Sequence, residues 1–375
     1  MADLLEYIKW RGDLTFLQAP INEVDGLILS NMSYVDFSDI VPEHKWDEKR
    51  AFFFLQGAKE NTVTIKEASE IYWSRHTEEE VKKEHPLTFM AAIILKSMAE
   101  SKRFGNLELS QFVSETDEDE PKQFAAMQIK LTDDEYYLAF RGTDESIVGW
   151  MEDFNMVYMP MIPSAKRAVK YIEEVVRKGN NRYYLGGHSK GGHLAFVGAI
   201  KAPVWCRRQI VSVASYDGPG VDETLLNSAE YAEMLDKMVL YVPEQSLVGL
   251  LMEHREKMHV IKSTRTGAMQ HDVMSWEILG PEFVKLDNVS KRSANFSNKI
   301  KKWLLTMEED VRRDLLQILY GSVADLEVRT VSDLFALNTK KIFMAIRNLK
   351  KLNEEQKELL QNSFKSLIQE MRRRE

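Results

Sequence analysis

The chain is short of cysteine, of basic charge and of long apolar runs. Its 375 residues hold one cysteine, Cys206. That excludes an intramolecular disulfide and any multi-cysteine metal site, and it fits a reducing compartment. With Gly 18 and Pro 10, the chain is not fibrous or of low complexity. Lys and Arg number 50 against 58 Asp and Glu, a net charge of -8, so the basic excess of a nucleic-acid-binding module is missing. No uncharged apolar run reaches the ~18 residues of a spanning helix. The opening MADLLEYIKWRGD carries acids early, unlike a secretory leader. The expectation is a soluble, cytoplasmic protein with no nucleic-acid partner and no transmembrane segment, with contact at a membrane interface left open. Nothing in the sequence fixes its oligomeric state.

What is present suffices for a sizeable core, since 44% of residues are hydrophobic and 29% charged. The length suits one large domain with additions. Residues 1–105 read as mainly helical. EASEIYWSRHTEEEVKKEH (67–85) and TFMAAIILKSMAESKRF (88–104) space their apolar residues on helical faces, separated by Pro86. Residues 106–290 change texture. LELSQFV (107–113), FAAMQIKL (124–131) and YYLAFR (136–141) read as strands bounded by turn signals. A helix over 164–179, closed by Gly179, leads into strand–helix alternation: RYYLGG (182–187), helix 190–202, QIVSVASYD (209–217), helix 223–238, VLYVP (239–243) and HVIKST (259–264). Such alternation predicts a parallel sheet with helices on both faces. Residues 291–375 read as a helical extension. Ile300, Trp303, Leu304, Met307, Val311, Leu315 and Ile318 fall on one helical face, followed by helices over 331–350 and 353–373.

The informative segment is Gly187-His188-Ser189-Lys190-Gly191, a G-x-S-x-G pattern between a short apolar strand and a small-residue helix. That is the context of a nucleophile elbow. The turn is so tight that only glycine fits two positions either side of the serine. The new helix aims its N-terminus at a developing oxyanion, with the Lys190 amide as donor.

A serine nucleophile needs a base. In the order nucleophile, acid, histidine, His44, His76 and His85 come too early, and His188 and His193 lie too close to Ser189. His254 is expected on a helix and His259 at the start of a strand. His271 sits in the loop TRTGAMQHD after HVIKST and is the expected base. Two carboxylates follow strands between Ser189 and His271. Asp217 is one strand after the nucleophile strand and Glu244 two strands after; Asp217 is the first choice. A second oxyanion donor is expected at Thr143 in Phe140-Arg141-Gly142-Thr143, with Asp153 able to tie that loop down. Met156, Tyr158, Met159, Met161, Leu247, Leu250 and Leu251 are candidates for an acyl pocket. No metal cluster, Walker-type loop or G-x-G-x-x-G fingerprint occurs, so no metal and no cofactor are expected.

FRGT (140–143), then Trp150-x-x-Asp153, then GHSKGG (187–192), resembles the class 3 (fungal-type) lipase family over about residues 125–275. The chain is more similar still to a bacterial lipase-like branch of unknown function, through KWRGDLTF (9–16), GHSKGG, YDGPG (216–220), PEQSLVGLLMEH (243–254) and QHD (270–272). The resemblance implies an α/β-hydrolase fold with helical N- and C-terminal additions. It implies Ser189 as nucleophile, His271 as base, and Thr143 with the Lys190 amide as oxyanion hole. It departs at two places. Ser246 stands where the lipases carry their acid, so Asp217 or Glu244 must replace it, or the site is a dyad. Lys190 stands where they carry leucine, a charge expected either to favour anionic substrates or to face solvent. The activity implied is hydrolysis of a small-molecule or lipid acyl ester. A thioesterase, amidase or acyltransferase on the same site, or a catalytically weak binding module, are the alternatives.

Overall fold

The computed structural model describes residues 2–44, 61–83, 86–144, 146–156, 158–324 and 351–373. The helix expected over 331–350 lies outside the described residues, and the one expected over 67–85 is broken at His76, whose backbone is extended, before a short helix over Glu78–Val81. The longer helices are α1 (Leu4–Arg11), α2 (Glu23–Met32), α3 (Ile65–Arg75), α4 (Pro86–Ala99), α5 (Ile147–Asn155), α6 (Pro163–Val175), α7 (Lys190–Lys201), α8 (Lys291–Leu305), α9 (Glu309–Ala324) and α10 (Glu354–Arg372).

A nine-stranded sheet runs β1-β2-β3-β4-β5-β6-β7-β8-β11. Its strands are β1 (Val63–Thr64), β2 (Glu108–Asp117), β3 (Lys122–Lys130), β4 (Glu135–Phe140), β5 (Arg182–His188), β6 (Ile210–Tyr216), β7 (Met238–Pro243), β8 (Lys257–Ile261) and β11 (Lys285–Leu286). A small hairpin, β9 (Ile278–Leu279) with β10 (Glu282–Phe283), stands apart. The first four strands pair antiparallel, β4 to β8 pair parallel, and β11 closes the edge antiparallel.

Side-chain alternation along the strands builds two cores. On β4, Tyr137 and Ala139 join an apolar cluster with Leu27, Ile28 and Met32 of α2 and Ile94 and Leu95 of α4. The intervening Tyr136, Leu138 and Phe140 face the other way, onto Tyr171 and Ile172 of α6 and Leu194 and Val197 of α7. Burial on both faces is what a parallel sheet requires. The architecture is an α/β-hydrolase-like sheet, with the carboxyl ends of β5, β6 and β7 side by side. Among the described residues, no helix is long and apolar enough to cross a membrane.

Four further local expectations are corrected. Helix α6 stops at Val175, where Val176 turns extended, so Gly179 (φ 154) is not its cap. The helix expected over 223–238 is two short helices, Glu223–Leu226 and Ala229–Met234, because the Ser228 hydroxyl caps the second. His254 is not helical: Met252 adopts φ 61 and Glu253 bridges to Val221. The apolar stripe from Ile300 to Ile318 is carried by two helices that break at Thr306–Glu308, and Leu315 and Ile318 are buried.

Candidate active site

Strand β5 ends at His188 and α7 begins at Lys190, so Ser189 makes the whole turn, with φ 57 and ψ -132. Positive φ is strained for a residue with a side chain, and such strain gathers at functional sites. Two neighbours permit it. A Cβ on Gly187 would run into the Gly191 carbonyl, and one on Gly191 into the Phe140 carbonyl. The elbow is pinned by the Ser189 amide donating to the Tyr216 carbonyl at 2.9 Å. The Lys190 amide is among the orphan donors at the start of α7.

Asp217 follows β6, the neighbour of β5, and also holds positive φ, at 53. Its amide donates to the Tyr241 carbonyl at 2.7 Å. Its carboxylate is buried and takes three donors. His271 Nδ1 lies 2.6 Å from Oδ2. The Ser246 hydroxyl donates to Oδ1 at 2.5 Å and the Gly249 amide at 3.1 Å. A carboxylate can only accept, so Nδ1 carries the imidazole proton and Nε2 is left as the acceptor. Ser246, in the loop after β7, thus supports the carboxylate that meets His271. Glu244 is engaged through its main chain, its amide on the Ile261 carbonyl at 3.1 Å and its carbonyl under the Ser290 amide at 2.7 Å. Among the described residues no hydrogen bond joins Glu244 to His271, and the histidine's carboxylate partner is Asp217. Nor does a hydrogen bond join Ser189 to His271; in empty sites that contact often closes only on substrate.

His271 is nonetheless held beside the elbow, by His188. The two rings lie 4.5 Å apart, and His188 Nε2 is 3.0 Å from the His271 carbonyl. That carbonyl only accepts, so Nε2 carries the proton and Nδ1 accepts from the Tyr34 hydroxyl at 3.0 Å. Burial, with the neighbouring His271, holds the His188 pKa well below the usual histidine value. Tyr34 comes from the segment after α2, and its hydroxyl also presses on Gly142, where a Cβ would collide with it. Tyr34 thus touches the Gly142 loop and, through His188, is linked to His271. Tyr34→Phe should leave His188 Nδ1 buried without a donor, costing ~1–3 kcal/mol in urea unfolding. On the serine hydrolase reading proposed below, it should also lower kcat about tenfold at unchanged KM, since misplacing a positioned group slows the chemical step.

The same burial makes a pH prediction. His188 and His193 are both depressed by desolvation. Below the unfolded value near 6.5 the unfolded chain binds protons that the folded chain refuses, so stability should rise with pH through that window and be lost as pH falls. Urea midpoints at pH 7 and pH 5 check this; an equal or higher midpoint at pH 5 contradicts it.

In the loop after β4, the Thr143 hydroxyl donates to Asp153 Oδ2 at 2.6 Å. Burial pushes Asp153 up to about 6, against the pull of Lys190 and of this hydrogen bond. Lys190 corrects the expectation that it faces solvent or substrate. Its side chain is 1% exposed, and its ammonium lies 3.0 Å from Glu152 Oε2. Desolvating an ammonium is tolerable only when acceptors surround it, and Gln123 supplies two more, at 3.1 Å each.

The model of a family described as Mbeg1-like, a class 3 lipase-like family, matches residues 98–321. The chain belongs to the Mbeg1-like family. Among solved structures it is similar to the M37 lipase, with 16% identity over 47% of this chain and 64% of that one at a TM-score of 0.32. It is also similar to the Rhizomucor miehei lipase in its propeptide complex, with 18% identity over 42% and 57% at a TM-score of 0.31. The chain thus spans less than two thirds of either lipase. No curated protein matches it.

The Mbeg1-like match takes in Ser189, Asp217, His271 and Thr143 but not Tyr34. Of the apolar candidates, Met156 is buried in the cluster beneath α6, with Met159 and Met161 on its edge. The Tyr158 hydroxyl donates to Asn155 at 2.8 Å. Leu247, Leu250 and Leu251 are part-exposed in the loop after β7. Ser297 of α8 fastens that loop by donating to the Leu250 carbonyl at 2.5 Å. Among the described residues no three His, Cys, Asp or Glu converge as a metal site. Tyr34, the Ser246 hydrogen bond to Asp217 and the contact of His188 with His271 are absent from the expectations drawn from the sequence. Only the GHS tripeptide carried a signal, and for His188 alone.

Proposed function

We propose that this lipase-like chain is a serine ester hydrolase in which Ser189, His271 and Asp217 form the triad. The observation that carries the reading is the 2.6 Å contact between His271 Nδ1 and Asp217 Oδ2, beside a strained Ser189 elbow. Ser189 Oγ attacks the acyl carbonyl and His271 Nε2 takes its proton, while Asp217 stabilises the imidazolium. The Lys190 and Thr143 amides hold the tetrahedral oxyanion. His271 returns the proton to the leaving alcohol, and water then cleaves the acyl-enzyme by the same route. Leu247, Leu250, Leu251, Tyr158 and Met159 are proposed to receive the acyl chain, whereas Met156 belongs to the core. The substrate class is a small-molecule or lipid acyl ester.

A second reading has one observation behind it. The missing Ser189–His271 hydrogen bond is what a catalytically weak binding module would show. A panel of p-nitrophenyl esters from acetate to palmitate separates the two. Turnover with a chain-length optimum is the expected result; no turnover of any ester at any length favours the binding module.

A further inference from the structure

Lys190 immediately follows the nucleophile, yet its charge points away from the reacting atoms. The side chain crosses under the elbow to the start of β3 and to α5. Its three ammonium hydrogens meet three acceptors: the Gln123 carbonyl at 3.1 Å, the Gln123 side-chain oxygen at 3.1 Å and Glu152 Oε2 at 3.0 Å. Glu152, whose side chain is 0% exposed, is completed by the amides of Gln123 at 3.0 Å and Ser164 at 2.7 Å. A buried ion pair of this kind is poor evidence of stability, since apolar residues of like volume often serve as well. What the charges add is direction: a fixed geometry between the segments they join.

Those segments carry the two halves of the oxyanion hole. One is the Lys190 amide itself. The other is Thr143, gripped on both flanks. On one side the Gln123 side-chain oxygen, already holding Lys190, accepts from the Asp144 amide at 3.3 Å. On the other, Glu152 precedes Asp153, which holds the Thr143 hydroxyl at 2.6 Å and lies 3.9 Å from the same ammonium.

We propose that Lys190, Glu152 and Gln123 form a buried brace that sets the separation between the two oxyanion donors, the amide of Lys190 and Thr143. The brace acts through those donors, so its members are positioning residues, and the proposal rests on the serine hydrolase reading above. A leucine after the nucleophile would pack the same space without tying α7 to the Thr143 loop.

The test uses the full chain with p-nitrophenyl butyrate as substrate and phenylboronic acid as a tetrahedral-state mimic. Lys190→Met alone would strand a buried carboxylate, so the pair is replaced together as Lys190→Met/Glu152→Gln. The expected kcat is lower by about 10- to 100-fold, because loosening a donor costs less than the ~100- to 1000-fold of removing one. KM should stay within about threefold, and the boronate inhibition constant should rise in step with the fall in kcat/KM, because both report the same donors. A folded double variant, by circular dichroism, that keeps kcat within about twofold, or loses kcat with boronate binding unchanged, overturns the brace. Should that variant not fold, Gln123→Met decides. It keeps the ion pair but cuts the Asp144 tether, and an unchanged kcat overturns the proposal. If wild type shows no Ser189-dependent turnover, the hydrolase reading falls first and the brace with it, an outcome distinct from the others.

Discussion

Ser189→Ala should abolish ester turnover, with kcat falling by as much as ~10⁶-fold to the level that binding and the oxyanion donors alone supply. The reason is positional. The serine sits at φ 57 on the only residue between β5 and α7, with no second hydroxyl on the elbow to take its place. The Ala variant should keep the fold, because the serine amide rather than its side chain pins the turn to Tyr216. His271→Ala should fall about as far, since nucleophile and base act as a unit and their losses do not add. Undiminished turnover in Ser189→Ala would place the chemistry elsewhere on the molecule.

The second large effect separates the two acids. Asp217→Asn should lower kcat by ~10⁴-fold, while Glu244→Gln should stay within about twofold. An asparagine at 217 can turn its NH₂ towards His271 and force the imidazole proton onto Nε2, the nitrogen that must accept from Ser189. The Ser246 hydroxyl and Gly249 amide on the other oxygen hold the side chain in place, so geometry should survive while the tautomer is lost. The loss should appear in kcat more than in KM. A collapse of Glu244→Gln with an active Asp217→Asn would reverse the assignment.

Much of the fold was legible because its signals are local. Short apolar runs bounded by Asp, Gly and Pro gave the strands of the parallel sheet within a few residues, and G-x-S-x-G located the elbow. Of the two acids the sequence offers, the structure joins Asp217 to His271, one strand from the nucleophile. What the residues did not disclose depends on long-range contact. Tyr34 reaches His188 across 154 positions of sequence, and nothing around it marks it out. In the sequence Lys190 reads as a charge facing substrate or solvent, because its partners, Gln123 and Glu152, are distant in sequence and become acceptors only once β3 and α5 pack beneath the elbow. Helix ends were misread where a single side chain decides them, as at Ser228.

An activated serine at position 189 would react with a fluorophosphonate, because only a serine deprotonated by its own base is readily phosphonylated. The folded chain would be treated with the probe, digested and read by mass spectrometry. The expected result is stoichiometric labelling on the peptide containing Ser189, strongly slowed in His271→Ala and Asp217→Asn. No labelling of the wild type, or labelling on another residue, would contradict it.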